Sequence, residues 1–213
     1  MIKELIKSNE LRRLIAAKCG KLRFEEVTDE EIEKIDSIYL TGKFLGADTG
    51  IDLSCLEAFP NLKSLSIADM KINQQGLDKI FRLAKLDRLE IVRSDFEELE
   101  FPKTINDEFN LRIIGCPKLP FKYPSLKSII LSGCSDVDFA SFDLDTARTI
   151  HITESMIRNV EDLDNKPNIQ FVKLDGSELR DKEDKVIKNI KCSKGTSYSH
   201  ADVYRVYDSY NER

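Results

Sequence analysis

A short apolar motif recurs seven times along the chain and constrains the fold more than any other feature. Each copy has two apolar residues separated by one variable residue. The pairs are Ile38/Leu40, Leu65/Ile67, Leu89/Ile91, Leu111/Ile113, Ile129/Leu131, Ile150/Ile152 and Val172/Leu174. Successive pairs are 27, 24, 22, 18, 21 and 22 residues apart. Self-similarity at a period of about 20–50 residues is typical of proteins built from stacked repeats.

The spacing within each pair predicts a short β-strand. Alternate side chains of a strand point to opposite sides, so both members of a pair point to the same side. One such coil cannot bury its apolar side alone, whereas stacked coils form a continuous core. We therefore expect parallel strands in one sheet, with the intervening residues returning on its other side.

Around four of the pairs the residues fit the pattern LxxLxLxxNxL apart from its asparagine, as in Leu62-x-x-Leu65-x-Ile67-x-x-Met70-x-Ile72. Two middle repeats have a tail one residue longer, Cys116-Pro-Lys-Leu119 and Cys134-Ser-Asp-Val137. The asparagine position holds Lys43, Met70, Ser94, Cys116, Cys134, Ser155 and Ser177. Over residues 35–180 the chain resembles leucine-rich-repeat proteins. Its opening resembles the helical cap of the bacterial internalin-like group in Leu11, Arg12, Ile15, Gly20, Lys21, Val27, Thr28, Glu30, Ile32, Ile35, Ile38, Leu40 and Gly42.

This resemblance implies an α/β leucine-rich-repeat solenoid. A curved parallel β-sheet would form its concave face, and short helices, 3-10 turns or extended segments its convex face. Lysine and methionine are unusual replacements for the asparagine, so we expect the first two turns to be irregular.

The predicted organisation is one structural domain in three parts: a helical N-terminal cap over 1–34, about seven repeats over 35–180, and a C-terminal cap or tail over 181–213. Solenoids need caps because their terminal coils would otherwise expose the core. Asn9 is placed to cap a helix over 10–19, and Gly20 to end it. Thr28-Asp29-Glu30-Glu31 has the pattern of a capping box. Asn73-Gln74-Gln75-Gly76 leads into residues spaced for a short convex-side helix.

Composition excludes several classes of partner. The net charge is −5 with 33% charged residues, which disfavours nucleic acid and anionic membranes because both favour a basic surface. Five cysteines, an odd number without a CxxC pair, disfavour a disulfide framework or a zinc site. The N-terminus has no long apolar stretch. We therefore expect a cytoplasmic protein. The resemblance to the internalin-like group implies a bacterial source, and a monomer is the favoured oligomeric state.

No pattern predicts catalysis, so we expect no enzyme activity, no cofactor and no metal. Walker-type loops, GxGxxG and HExxH are absent from the sequence. Cys134 would point inward from a turn, four residues or about 13 Å along the strand direction from His151 on the concave side. This is poor geometry for a nucleophile and its base. The alternative is an enzyme or enzyme subunit that uses the C-terminal segment, with Cys192, His200 and its tyrosines.

The variable positions beside and between the apolar pairs define the predicted partner-binding face. Its candidate residues are Tyr39, Arg88, Glu90, Val92, Arg93, Arg112, Ile114, Ile130, His151, Phe171 and Lys173. Apolar side chains surrounded by arginines are typical of an interface centre, although scattered exposed apolar residues also occur without function. A second contact is predicted at Tyr198, Tyr204, Tyr207 and Tyr210, with a cap over the last coil as the alternative.

These observations favour a protein–protein interaction module that grips a protein partner on its concave face. An immunity protein that neutralises a toxin, or a binder of another basic protein, is the concrete version. A purely structural, self-associating solenoid remains the other alternative.

Overall fold

The computed structural model describes residues 2–42, 53–96, 99–102, 109–117, 119, 126–163, 166–187 and 197–199. The chain divides into two compact units, Met1–Leu99 and Glu100–Arg213. All seven predicted strands are present, and the apolar pairs form the core. Each of their side chains is at most 6% exposed.

The first unit begins with the predicted helical cap. It consists of a 3-10 helix at Ile2–Leu5, α1 at Asn9–Lys18, a 3-10 helix at Phe24–Glu26 and α2 at Asp29–Glu33. The prediction that Asn9 caps α1 is wrong by one residue. Ser8 holds the extended backbone of a cap, and its Oγ accepts a hydrogen bond from the Leu11 N–H. The capping box between Thr28 and Glu31 is confirmed.

The sheet of the first unit contains three parallel repeat strands. β1 is Ser37–Thr41 and β2 is Ser64–Ala68, followed by the short β3 at Lys71–Ile72. After α3 at Gln74–Phe81 come β4 at Arg88–Val92 and β5 at Asp95–Phe96. The order is β1–β2–β4, and β3 pairs with β5. A 3-10 helix at Leu53–Ala58 precedes β2.

The helix predicted after Asn73 is confirmed as α3. Asn73 caps it by accepting a hydrogen bond from the Gly76 N–H at 2.8 Å. Leu77 and Ile80 are fully buried, so the helix covers the core with one apolar side.

The second unit contains the remaining strands. They are β6 at Asn110–Ile114, β7 at Ser128–Ser132, β8 at Val137–Asp138, β9 at Thr149–Thr153, β10 at Met156–Arg158, β11 at Phe171–Lys173, β12 at Glu178–Leu179 and β13 at Ser197–Ser199. The repeat strands are ordered β6–β7–β9–β11–β13, and β12–β10–β8 form a smaller sheet. 3-10 helices at Phe139–Ser141 and Val160–Leu163 occupy the returns.

The C-terminal part adds a strand that the sequence did not predict. β13 pairs in parallel with β11, with Val172 opposite Tyr198. It has no apolar–variable–apolar triplet, which is why the repeat search missed it. Residues 200–213 of the predicted C-terminal cap or tail, and residues 118 and 120–125 between β6 and β7, lie outside the described residues.

We number the positions of the pattern LxxLxLxxNxL from its first leucine. Template position eight has a left-handed backbone in every repeat but the first, whose Gly42 has no positive φ. The φ of this position lies between 43° and 64° at Asp69, Arg93, Gly115, Gly133, Glu154 and Gly176. This turn was not predicted from the sequence, although three of these six positions are glycine, the residue that adopts positive φ most readily. The turn directs the next residue, at the position of the missing asparagine, into the core.

At template position nine, the asparagine position of the pattern, serine hydroxyls form hydrogen bonds from one coil to the next. We call this series of contacts the hydroxyl ladder. Ser155 Oγ accepts from the Cys134 N–H at 3.0 Å and donates to the Thr153 carbonyl at 2.8 Å. Ser177 Oγ accepts in the same way from the Ser155 N–H, at 3.3 Å. In the first unit Ser94 Oγ accepts from the Met70 N–H and donates to the Val92 carbonyl. Met70 has no hydroxyl to offer the preceding coil, but its own N–H is satisfied by Ser94 and its turn keeps the left-handed φ at Asp69. Lys43 lies outside the described residues.

No helix in the described part of the chain is both long and apolar enough to cross a membrane.

Candidate protein-binding face

Template positions three, five and seven lie on the side of each sheet opposite the buried pairs, which we call the open face. It is formed by Ser37, Tyr39, Thr41, Ser64, Ser66, Ala68, Arg88, Glu90 and Val92 in the first unit. In the second unit it is formed by Asn110, Arg112, Ile114, Ser128, Ile130, Ser132, Thr149, His151, Thr153, Phe171, Lys173 and Asp175. Nearly all are half-buried or exposed, as expected for a sheet with one side packed and one side in solvent.

In the first unit the middle row of the open face is Tyr39, Ser66 and Glu90, which are direct neighbours in the strand register. Tyr39 is 43% exposed. Ser66 Oγ donates to Glu90 Oε2 at 3.3 Å, so the serine and the carboxylate are joined across two strands. Arg88 is exposed at the start of β4 and Val92 is half-buried at its end.

Two residues of the first unit depart from the expected exposure of the open face. Thr41 is 9% exposed and Ala68 is fully buried. Ala68 lies in register between Thr41 and Val92, two larger β-branched residues. The end of the open face therefore offers little surface at these two strands.

Arg93 belongs to the turn beyond the open face. Its Nε and Nη2 donate to the two carboxylate oxygens of Asp69 at 2.8 and 3.0 Å. This bidentate pair raises the pKa of Arg93 above its ordinary value through hydrogen bonding and charge. The pair links two adjacent turns, so Arg93 has an internal role that the sequence did not reveal.

In the second unit the middle row is Arg112, Ile130, His151 and Lys173, one residue from each of four neighbouring strands. Adjacent strands are about 4.8 Å apart, so the row extends for roughly 14 Å. Arg112 is exposed and the other three are half-buried. The row thus presents one aliphatic side chain between basic side chains.

The charge state of His151 is set by this row. Partial burial lowers the pKa of the imidazole below its usual value of 6.5, and the positive charges of Lys173 and Arg112 lower it further, whereas Asp175 raises it. Asp175 also forms an ion pair with Lys173, Oδ2 to Nζ at 2.8 Å. At neutral pH His151 is therefore uncharged and can accept or donate a hydrogen bond.

Two further rows flank this one. Ile114 lies one strand from Ile130 and two residues further along, a diagonal arrangement within reach of long side chains. Phe171 is half-buried in the row of Ser128 and Thr149. Thr153 Oγ1 donates to Ser132 Oγ at 2.8 Å. The open face of the second unit therefore combines aliphatic, aromatic and basic side chains.

Asn110 is a polar residue of this face that the sequence analysis did not single out. Its Oδ1 is buried and has no hydrogen-bond partner among the described residues. An unsatisfied buried acceptor costs about 1–3 kcal/mol. The sequence gives no signal for it, because asparagine is unremarkable at a variable position.

The predicted separation of Cys134 from His151 is confirmed. Cys134 is 1% exposed, and its Sγ contacts the carbonyl oxygens of Ile113 and Ser132 in the core. Burial raises the pKa of this thiol above its usual range. A protonated thiol on the buried side cannot serve an imidazole on the open face.

Other predicted groups are only partly covered by the structure. Among the described residues, no cluster of three histidine, cysteine or carboxylate side chains is arranged to hold a metal ion. Tyr198 lies in β13. Cys192, His200, Tyr204, Tyr207 and Tyr210 lie outside the described residues, so the C-terminal enzyme alternative stays a hypothesis.

Comparison with known proteins adds information on the fold alone. No family model and no curated protein matches the chain. An internalin C2 from Listeria monocytogenes superposes with a TM-score of 0.50 and 16% identity, covering 94% of this chain and 96% of that one. An internalin InlF from the same organism has 13% identity and a TM-score of 0.35, covering 97% and 81%. Seven sequence repeats, parallel strands in register and the likeness to internalin C2 together show that the chain folds as a leucine-rich-repeat solenoid.

Proposed function

We propose that the chain is a protein-interaction module that binds a protein partner through the open face. The observation that supports this most directly is the row Arg112–Ile130–His151–Lys173. Interface centres are enriched in aromatic residues and arginine, and they place apolar side chains inside a polar rim. Ile130 and Ile114 supply the apolar part, Phe171 the aromatic part, and the basic residues the rim.

The chemistry of the row defines what a partner must present. A carboxylate opposite Arg112 would form a charge-assisted hydrogen bond, and an aliphatic or aromatic side chain would cover Ile130. The whole chain has a net charge of −5, which favours association with a partner that is basic overall. We propose a bacterial toxin neutralised in the cytosol as the concrete partner, with this chain acting without catalysis as a monomeric immunity protein.

Two variants of the open face test this proposal. Arg112→Glu and Ile130→Ala change exposed or half-buried side chains of neighbouring strands, so both should leave the fold intact. Arg82→Glu at the exposed C-cap of α3 makes the same change of charge away from the open face and serves as the control. Tagged wild type and variants are used to co-purify partners from the source cell, and bound proteins are compared by mass spectrometry.

We expect a protein that is retained by the wild type and by Arg82→Glu but lost from both open-face variants. If every partner remains bound to Arg112→Glu and Ile130→Ala, the open face is not the binding surface. The toxin version has its own test: cells that express the captured partner should grow only with the wild-type chain. Analytical ultracentrifugation distinguishes a monomer from the self-associating alternative, which requires a mass that rises with concentration.

A further inference from the structure

The N-terminal cap contains a cavity that no part of the proposed function uses. It has a volume of about 240 Å³ and lies between α1 and the turn that follows it. Its charged lining is Arg12, Arg13, Arg23 and Glu25. Three guanidinium groups around one cavity are unexpected in a chain with a net charge of −5. We call this cavity the cap cleft.

Arg12 is held in place by the cap itself. Its Nε donates to the Ile6 carbonyl at 2.8 Å, and its guanidinium carbon lies 5.4 Å from the centre of the Phe24 ring. The ammonium of Lys3 is also near this ring, at 5.6 Å, and donates to the Glu25 carbonyl. Because these contacts fix the guanidinium, binding through its other N–H groups would lose little side-chain entropy.

The other two arginines are available to a ligand. Arg13 and Arg23 are exposed, and among the described residues neither they nor Arg12 forms an ion pair with a carboxylate. Positive charges that share a cavity repel one another, and a bound anion would relieve this repulsion. Arginine binds the planar carboxylate group in a bidentate manner.

Leu22 indicates what kind of anion fits. Its side chain lines the cap cleft and is 96% exposed, so it is an aliphatic contact surface beside the arginines. An inorganic ion would not use it, whereas a peptide with both carboxylate and aliphatic side chains would. Phe24 is only 8% exposed, so it cannot stack on a nucleic-acid base.

We propose that the cap cleft is a second binding site, which takes an acidic peptide segment of a protein. The carboxylates of the peptide bind Arg12, Arg13 and Arg23, and an adjacent aliphatic side chain of the peptide packs on Leu22. This site lies on the cap and not on the open face, so it stands or fails independently of the proposed function.

The test uses the full chain and a defined peptide. The probe is a fluorescein-labelled nonapeptide of alternating glutamate and leucine, and a glutamine–leucine peptide is the uncharged control. Fluorescence anisotropy should show saturable binding of the acidic probe at low salt, weakening as salt screens the charges. The double variant Arg13→Gln/Arg23→Gln should raise the Kd at least about tenfold, the factor that corresponds to 1.4 kcal/mol.

Controls separate the cap cleft from general attraction. Arg148→Gln removes the same type of charge from an exposed position in the second unit and should leave the Kd unchanged. Leu22→Ser should weaken the acidic probe without changing the charge. In an amide NMR titration, the shifts should be confined to about residues 9–25, which include the lining.

Several results would overturn the proposal. The first is that the acidic probe shows no saturable binding up to about 1 mM. The second is that Arg148→Gln weakens binding as much as Arg13→Gln/Arg23→Gln does. The third is that the glutamine–leucine peptide binds as tightly as the acidic probe. Displacement of the probe by an equal concentration of inorganic phosphate would also overturn it, because the cap cleft would then be a simple anion site. Unchanged far-ultraviolet circular dichroism of the variants ensures that lost binding is not lost folding.

Discussion

Replacing Ser155 by alanine should destabilise the protein far more than its size suggests. The side chain is 5% exposed, and its hydroxyl joins two coils. It accepts from the Cys134 N–H at 3.0 Å and donates to the Thr153 carbonyl at 2.8 Å. Alanine removes the oxygen and leaves both backbone groups in place. Cys134 is itself only 1% exposed, so its N–H is shielded from solvent.

The expected loss follows from these two contacts. A buried donor or acceptor left without a partner costs about 1–3 kcal/mol, more than the net gain of about 1 kcal/mol from an ordinary hydrogen bond. A carbonyl has a second lone pair, so we assign most of the loss to the Cys134 N–H. We therefore expect Ser155→Ala to lower the free energy of unfolding by about 2 kcal/mol.

Urea denaturation followed by circular dichroism measures this change. Ser135→Ala is the matched control, because Ser135 is exposed in the neighbouring coil, and its loss should stay within about 0.5 kcal/mol. Ser155→Cys tests the chemistry further. Cysteine already occupies this template position at Cys116 and Cys134, so its effect should be smaller than that of alanine.

Hydrogen exchange gives a local readout. The Cys134 amide should exchange faster in Ser155→Ala than the decrease in global stability accounts for. If Ser155→Ala behaves like Ser135→Ala, or if the Cys134 amide keeps its full protection, the hydroxyl ladder does not stabilise the stacking of the coils.

Three other predictions follow from the turns, the surface and the open face. Glu154→Gly, at φ 51°, should raise the melting temperature and Gly176→Ala, at φ 63°, should lower it, each by the equivalent of about 1 kcal/mol; equal melting temperatures would contradict this. Arg158→Gln removes a half-exposed bidentate pair with Asp136 and should reduce the urea-derived stability by less than about 1 kcal/mol. The His151 imidazole should titrate by NMR below its usual 6.5, and Lys173→Gln should raise that value. Because the pKa of His151 is lower in the folded state, its contribution to stability is constant above the unfolded pKa of about 6.5. This contribution declines as the pH falls from that value towards the folded pKa. An unshifted titration would contradict this prediction.

The core of this protein could be predicted from sequence because every repeat strand must bury an apolar pair in the same way. Ile150 and Ile152 must be apolar, point to one side and match the next coil, and the same holds at every strand. The pattern can be recognised because it occurs seven times, although no single copy is distinctive. The N-terminal cap was predictable for a related reason, since the Thr28–Glu31 capping box is a local sequence pattern.

The turns were not predictable to the same extent. Gly115, Gly133 and Gly176 mark the left-handed position, but Arg93 and Glu154 adopt it without any sequence signal. Their strain is accepted because the strands on both sides fix the backbone. Likewise, β13 is a strand because β11 offers it a row of backbone hydrogen-bonding groups. Its own triplet, Ser197–Ser199, contains no apolar pair.

The cap cleft shows most clearly why binding sites cannot be predicted from the repeat pattern. Arg12 and Arg23 are eleven positions apart in the sequence, outside any repeat, and only the turn after α1 brings them to one cavity. Buried positions repeat because the core repeats, whereas a partner imposes its chemistry only where it touches. Binding surfaces must therefore be sought at residues that the fold does not require, such as an aliphatic Ile130 on the open face or a solvent-exposed Leu22 among arginines. Mutation of Ile130 or Leu22 should change binding while leaving stability nearly unchanged, whereas mutation of Ser155 should lower stability.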